Sequence, residues 1–265
     1  MPAVPFYQVD AFSERPFGGN PAAVCVLEAF PDDRTMAAVA AENNLSETAF
    51  VVRQGGDYAL RWFTPAVEVD LCGHATLASG LVVMSELEPG RQRVRFHTRS
   101  GPLEVARRGE GLALDLPARA PEPAAAPAGL EAALGAEPAA TLRARDVVAV
   151  FERADEVRAL RPDLRALAAL EGVFAVCVTA PGTGPDADVD FVSRFFAPAK
   201  GVPEDPVTGS AHCSLVPYWA SRAGRTELKA RQVSARGGEL AATLRGDRVE
   251  LAGRAVIVIR GTMSW

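Results

Sequence analysis

Chemistry-bearing residues gather at two places that resemble each other. Leu71, Cys72, Gly73, His74, Ala75, Thr76 and Val207, Thr208, Gly209, Ser210, Ala211, His212 each open an apolar helical run around a glycine. A helix N-terminus leaves backbone NH groups unpaired and carries partial positive charge, so it attracts a carboxylate or phosphate, and glycine lets that ligand approach the backbone. A merely capped helix, with Asp70 or Thr208 as cap, would read the same way. Two carboxylate positions add to these. Glu47, in Asn43, Asn44, Leu45, Ser46, Glu47, Thr48, falls at the end of a helix and just before an apolar strand, and Glu204 and Asp205 precede Pro206. By residue type alone Glu47 reads as a solvated turn residue, and Glu204 and Asp205 as charge complementing the dipole of the helix that follows.

The remaining reactive side chains narrow the chemistry. Cys25, Cys72, Cys177 and Cys213 are too sparse and too widely spaced for a disulfide scaffold or a CxxC metal site. His74, His97 and His212 show no HExxH or HxH spacing, so no protein-built metal site is expected. Cys25 and Cys177 sit in apolar strands and read as core, His97 as a surface residue, and His212 as either a site contact or a structural histidine. With 28 basic and 33 acidic residues the formal charge is −5, and no Lys/Arg block supplies a nucleic-acid footprint. No apolar run reaches the roughly 18 residues of a membrane span, and Met1 to Asp10 lacks the pattern of a secretory signal. A small molecule is the expected partner, in a cytoplasmic chain with free thiols. A second copy of the chain is carried as a candidate partner.

The elements that must position these residues come in two copies. Arg61 to Ala66 reads RWFTPA and Arg194 to Ala199 reads RFFAPA; the Gly73 and Gly209 helix starts follow each at nearly the same offset. Aligning Phe96 onward with Val233 onward then pairs Arg99 with Arg236, Gly101 with Gly238, Leu103 with Leu240 and Gly109 with Gly246. Collinear blocks at nearly one offset imply a duplication. The expected domains are residues 1–118, completed by 260–265, and residues 119–259, joined in the Ala/Pro-rich stretch Ala120 to Ala140 with a short helix from Leu130 to Leu134. Each copy reads as a hairpin, a helix and a meander. Thr48 to Arg53 with Tyr58 to Phe63, and Phe174 to Thr179 with Val189 to Phe196, are the hairpins. Ala75 to Leu87 and Ala211 to Arg222 are helices apolar on most sides, hence buried in sheet. Arg93 to His97, Leu103 to Ala106 and Leu112 to Leu116 form one meander; Val233, Ala241 to Leu244, Val249 to Leu251 and Val256 to Ile259 form the other. The fold class expected is α+β, two pseudo-symmetric repeats of mostly antiparallel sheet around a central apolar helix.

Four blocks carry a resemblance. Asp10 to Val24 (DAFSERPFGGNPAAV), Asn44 to Phe50 (NLSETAF), Phe63 to Leu77 (FTPAVEVDLCGHATL) and Glu204 to Trp219 (EDPVTGSAHCSLVPYW) resemble the phenazine-biosynthesis PhzF-like family, in that family's order. The resemblance implies the diaminopimelate epimerase-like fold, with the active site in the cleft between two domains. It also implies cofactor-independent isomerisation of a small carboxylate-bearing molecule by moving a proton on carbon. Glu47 matches the family's acid/base, His74, Asp205 and Ser210 match polar residues that assist it or hold substrate, and the block around Asn20 lies near the site. With these go Cys72, Gly73, Thr208 and Gly209 at the two helix starts as substrate-binding candidates. A desolvated carboxyl group suits the chemistry, since burial moves its pKa towards neutrality and lets it take a proton and return it. Two other readings stay open. A two-thiol epimerase would need a cysteine at each helix start, and Thr208 stands opposite Cys72. A ligand-binding or interaction module could keep the same scaffold without catalysis.

Overall fold

A computed structural model describes residues 3–265. The chain divides into two units, the residues up to Leu116 together with Leu251–Trp265, and Pro117–Glu250. In the first unit, β1 (Ala3–Ala11) and β2 (Asn20–Leu27) pair antiparallel. Helix α1 (Asp33–Asn43) then crosses over to β3 (Glu47–Gln54), which runs parallel to β2 with Ala22 opposite Glu47. The Asp32 carboxylate caps α1 by accepting from the Thr35 NH at 2.7 Å, and Asn44 ends the helix in a left-handed conformation. β4 (Asp57–Phe63) pairs antiparallel with β3 and takes up the two-residue β5 (Glu68–Val69). After α2 (Gly73–Val82) and a π-helical turn at Val83–Leu87 come β6 (Arg93–Thr98), β7 (Gly101–Arg108) and β8 (Gly111–Pro117). β6 lies parallel to β4, and the three strands form a meander.

The second unit repeats this scheme. A short β9 (Glu122–Pro123) and α3 (Leu130–Leu134) precede β10 (Ala140–Arg143), which pairs antiparallel with β11 (Val147–Val150). The crossover here is α4 (Ala154–Ala159) and α5 (Leu164–Ala168), leading to β12 (Val176–Pro181) parallel to β11. β13 (Phe191–Ala197) pairs antiparallel with β12 and receives the return strand β14 (Val202–Asp205). Helix α6 (Gly209–Ala223) is followed by β15 (Glu227–Gln232), parallel to β13, then β16 (Gly238–Arg245) and β17 (Arg248–Gly253). The last strand, β18 (Ala255–Ser264), pairs with β1 along its whole length, so the return to the first unit starts at Leu251, ahead of Arg260.

The matching blocks in sequence have a physical basis. Arg61 grips Glu68 on β5 with two hydrogen bonds of 2.8 and 2.7 Å, and Arg194 grips Glu204 on β14 at 2.7 and 2.9 Å. Each guanidinium also lies over the phenylalanine two residues on, 5.3 Å from Phe63 and 5.0 Å from Phe196. Such forked, charge-assisted pairs fix the short return strand that leads into each buried helix. Glu204 is thereby committed to structure.

Both central helices are largely buried, α6 exposing only its last turn from Ser221. α2 is buried from Gly73 through Gly80 and packs against β1, β2, β3, β7 and β18. A Cβ at Gly80 would meet Val105 Cγ1 at 2.5 Å, so glycine is what lets helix and β7 approach. In α6, Pro217 removes one NH from the helix ladder, and the Cys213 carbonyl that loses it accepts instead from the Arg119 NH at 2.8 Å.

Two expectations need correction. Val233 is not in a strand, because β15 ends at Gln232. The Ala/Pro-rich stretch is not a bare linker: β9 pairs with β10, and Leu130, Ala133 and Leu134 of α3 are buried with Val147, Val176 and Phe196. Its three apolar residues share one helical face and find a core to cover.

Candidate functional site

In the first unit the strand pairing brings Asn20, Glu47, Cys72 and His74 together. Asn20 begins β2 and Glu47 begins β3, and these strands are parallel neighbours, so both residues lie at the same sheet edge. Glu47 therefore opens the strand rather than ending the helix, which stops at Asn43. The Asn43 amide donates to Thr48 Oγ1 at 3.0 Å and fixes that junction. Asn20 is set by the turn before it. Gly19 has φ +63°, and a Cβ there would lie 2.1 Å from the Ala11 carbonyl oxygen, while the Phe17 NH donates to the buried Asp10 carboxylate at 2.7 Å. Cys72 is the extended residue before α2, and its own side chain does not cap that helix. The NH groups of Gly73 and His74 stand at this helix start.

His74 is the centre of the group and is 2% exposed. Burial pushes its pKa down to about 3, so the ring is neutral and its approach to Glu47 is not an ion pair. Asn20 Nδ2 donates to His74 Nδ1 at 3.0 Å, which leaves the ring proton on Nε2. That nitrogen lies 3.2 Å from Glu47 Oε2, within reach of proton exchange although off the axis of a hydrogen bond. Cys72 Sγ lies 3.6 Å from Nδ1. The side chain of Glu47 keeps 15% exposure against 3% for His74, while its Oε2 is buried beside the ring.

In the second unit Asp205, Thr208, Gly209 and Ser210 surround the start of α6. Thr208 precedes the helix but does not cap it: its hydroxyl donates to Asp205 Oδ2 at 2.5 Å. Gln232, fully buried at the end of β15, ties this loop together. Its amide donates to the Asp205 carbonyl at 2.7 Å and to Thr208 Oγ1 at 3.1 Å, and its Oε1 accepts from the Thr208 NH at 2.9 Å. Sequence reasoning missed Gln232, because a polar residue ending an alternating strand looks like any surface position. Gly209 is buried and Ser210 half-buried at the first two helical positions.

Other reactive residues are structural. His212 Nδ1 donates back to the Thr208 carbonyl at 2.7 Å, and burial holds its pKa near 4. His97 makes a surface approach to Asp57 at 3.3 Å. Burial pushes the Cys25 and Cys213 thiols up to about 12 and raises that of Cys177 as well, so none is poised as a thiolate.

The fold is shared with solved structures described as an epimerase and a racemase. A hydroxyproline epimerase from Agrobacterium vitis, crystallised with trans-4-hydroxy-L-proline, superposes with TM-score 0.66 over 98% of this chain and 92% of its own, at 11% identity. A crystal structure of a phenazine biosynthesis protein of the PhzF family from Enterococcus faecalis matches far more closely, with TM-score 0.93 and 44% identity over 100% of both chains. A Pseudomonas aeruginosa protein described as an uncharacterized isomerase is 52% identical over 257 residues, 97% of each chain. The PhzC-PhzF family model, described as phenazine biosynthesis-like protein, matches residues 9–261. The chain belongs to the phenazine biosynthesis-like family and is an isomerase by class. Among the described residues no helix is long and apolar enough to cross a membrane.

Proposed function

We propose that this isomerase shifts a proton on carbon in a small carboxylate-bearing metabolite, with Glu47 as the acid/base. The observation that carries this reading is the Asn20–His74–Glu47 cluster: a half-buried carboxylate whose Oε2 lies 3.2 Å from Nε2 of a neutral imidazole, with Asn20 on the other ring nitrogen. Glu47 takes a proton from the carbon acid and returns it at another carbon or face. The His74 Nε2–H steadies the carboxylate or the substrate, and the NH groups of Gly73 and His74 offset negative charge that develops on the substrate. These residues supply the whole proton transfer. A symmetric thiol mechanism gains no support, since Cys213 is buried one turn inside α6, against the Gly209 carbonyl at 3.8 Å, and Thr208 stands where the second thiol would be needed.

Asp205 and Ser210 belong to the same reading as substrate-holding groups. Asp205→Asn lowers turnover partially, and Ser210→Ala weakens binding by about 0.5 to 3 kcal/mol, the range of one hydrogen bond, as measured by titration with substrate. The principal test is solvent deuterium uptake into carbon acids bearing a carboxylate, followed by NMR. Wild-type protein incorporates deuterium; a scaffold that only binds its ligand incorporates none.

A further inference from the structure

Spacing along the sequence gives no metal motif, yet folding joins three ligand types. One donor atom each from Glu47, Cys72 and His74 lies within 4.8 Å of the other two. We propose that Glu47, Cys72 and His74 bind a borderline-soft divalent transition metal, of which zinc is the representative, and that the bound ion shuts off the isomerase by occupying its carboxylate and imidazole.

The donor set is oxygen, sulfur and nitrogen, the mixture that zinc takes at roughly 2.0 to 2.3 Å and that magnesium and calcium do not. Around such an ion tetrahedral ligands stand about 3.5 Å apart. Glu47 Oε2 and His74 Nε2 are already 3.2 Å apart, and the ion draws the Cys72 side chain, whose Sγ lies 3.6 Å from Nδ1 within the same 4.8 Å cluster, round towards Nε2. Charge also balances, because one carboxylate and one thiolate neutralise a divalent ion in a buried setting where net charge is costly. Coordination forms the metal–sulfur bond and releases the thiol proton to water. Asn20 supplies the outer support: turned about its amide, it accepts from Nδ1–H and leaves the Nε2 lone pair for the ion. The ion enters where Glu47 is exposed, and the fourth position remains for water. The metal site needs only the geometry, whereas its inhibitory effect rests on the proton-shift reading.

The test titrates protein freed of metal by chelation with Co2+. A one-to-one complex with a thiolate-to-cobalt charge-transfer band and strong tetrahedral visible bands is expected, displaced by Zn2+ and untouched by Mg2+. Cys72→Ser loses the charge-transfer band, and Glu47→Gln and Asn20→Ala each weaken binding by roughly 10- to 100-fold. X-ray absorption on the wild-type zinc complex counts one sulfur, which keeps the proposal testable should Cys72→Ser fail to fold. Absence of the charge-transfer band in wild-type protein, its survival in Cys72→Ser, or a zinc shell without sulfur overturns the proposal. Deuterium exchange by wild-type protein is present after chelation and is abolished by stoichiometric Zn2+; exchange unaffected by bound Zn2+ overturns the inhibitory role. Full exchange by chelated Glu47→Gln would sink the acid/base assignment and leave the metal site standing.

Discussion

The proton of His74 is placed by its neighbour. Asn20 donates to Nδ1, so the ring is the Nε2–H tautomer facing Glu47, and burial keeps it neutral down to about pH 3. Nitrogen-15 NMR of the wild-type protein therefore shows Nε2–H from pH 5 to 9, and the pH dependence of exchange has no limb from His74. Asn20→Asp sets a carboxylate against Nδ1, draws the proton there and raises the His74 pKa. The NMR signature moves to Nδ1–H or imidazolium, and kcat falls more than KM changes. A wild-type ring protonated on Nδ1 would contradict this placement. Residue types made Glu47, His74 and Cys72 visible as candidates in the sequence, and the family resemblance ranked them. Their convergence was invisible, because it depends on β2 and β3 being parallel neighbours whose first residues share one edge. The Asn20–His74 contact was invisible for the same reason: it joins residues 54 apart through that edge.

At the scale of elements, the two arginine pins govern how each return strand presents its helix start. Arg194 is the more deeply committed. Besides Glu204 it donates to the Val157 and Leu160 carbonyls at 3.2 and 2.9 Å, whereas Arg61 reaches the exposed Asp33. Arg194→Met thus strands a carboxylate and two carbonyls and is expected to cost about 2 to 4 kcal/mol in denaturant unfolding, more than Arg61→Met. Equal, negligible losses would show the pins to be ornamental. Gly80→Ala must displace Val105 and destabilises the first unit by about 1 to 3 kcal/mol, measured the same way. The repeat was legible because the pins keep Arg, Phe and Pro in step at both places. The hairpins, central helices and first meander were legible from alternation and apolar runs. The strands before each hairpin were not. β11, with all four residues buried, and β2, buried at all but one position, show no alternation, and β1 passes from partly exposed at its start to buried at its end.

For the whole molecule, buried titratable groups set how stability responds to pH. Asp146 is 3% exposed, its Oδ1 has no hydrogen-bond partner, and burial raises its pKa from 3.8 to about 6. The folded state thus holds this proton more tightly than the unfolded state, and stability from this group is lost as pH rises from about 4 through 6. His74 and His212 act oppositely: their folded pKa values of about 3 and 4 lie below 6.5, so the unfolded state takes up protons first and stability falls as pH drops below 6.5. Asp146→Asn accordingly raises stability at pH 7.5 by up to about 3 kcal/mol, with the gain vanishing near pH 4, and leaves the histidine slope alone. Thermal unfolding across that range checks it, and a gain independent of pH would refute it. Glu47 is proposed to move a carbon-bound proton. The most direct measurement is deuterium uptake into a carboxylate-bearing carbon acid that the wild-type protein exchanges, compared among wild type, Glu47→Gln and Cys72→Ala, all freed of metal. Glu47→Gln is expected to lower exchange by about 10² to 10⁴ while ligand binding survives. Full exchange by Glu47→Gln with none by Cys72→Ala would contradict the account and give the chemistry to the thiol.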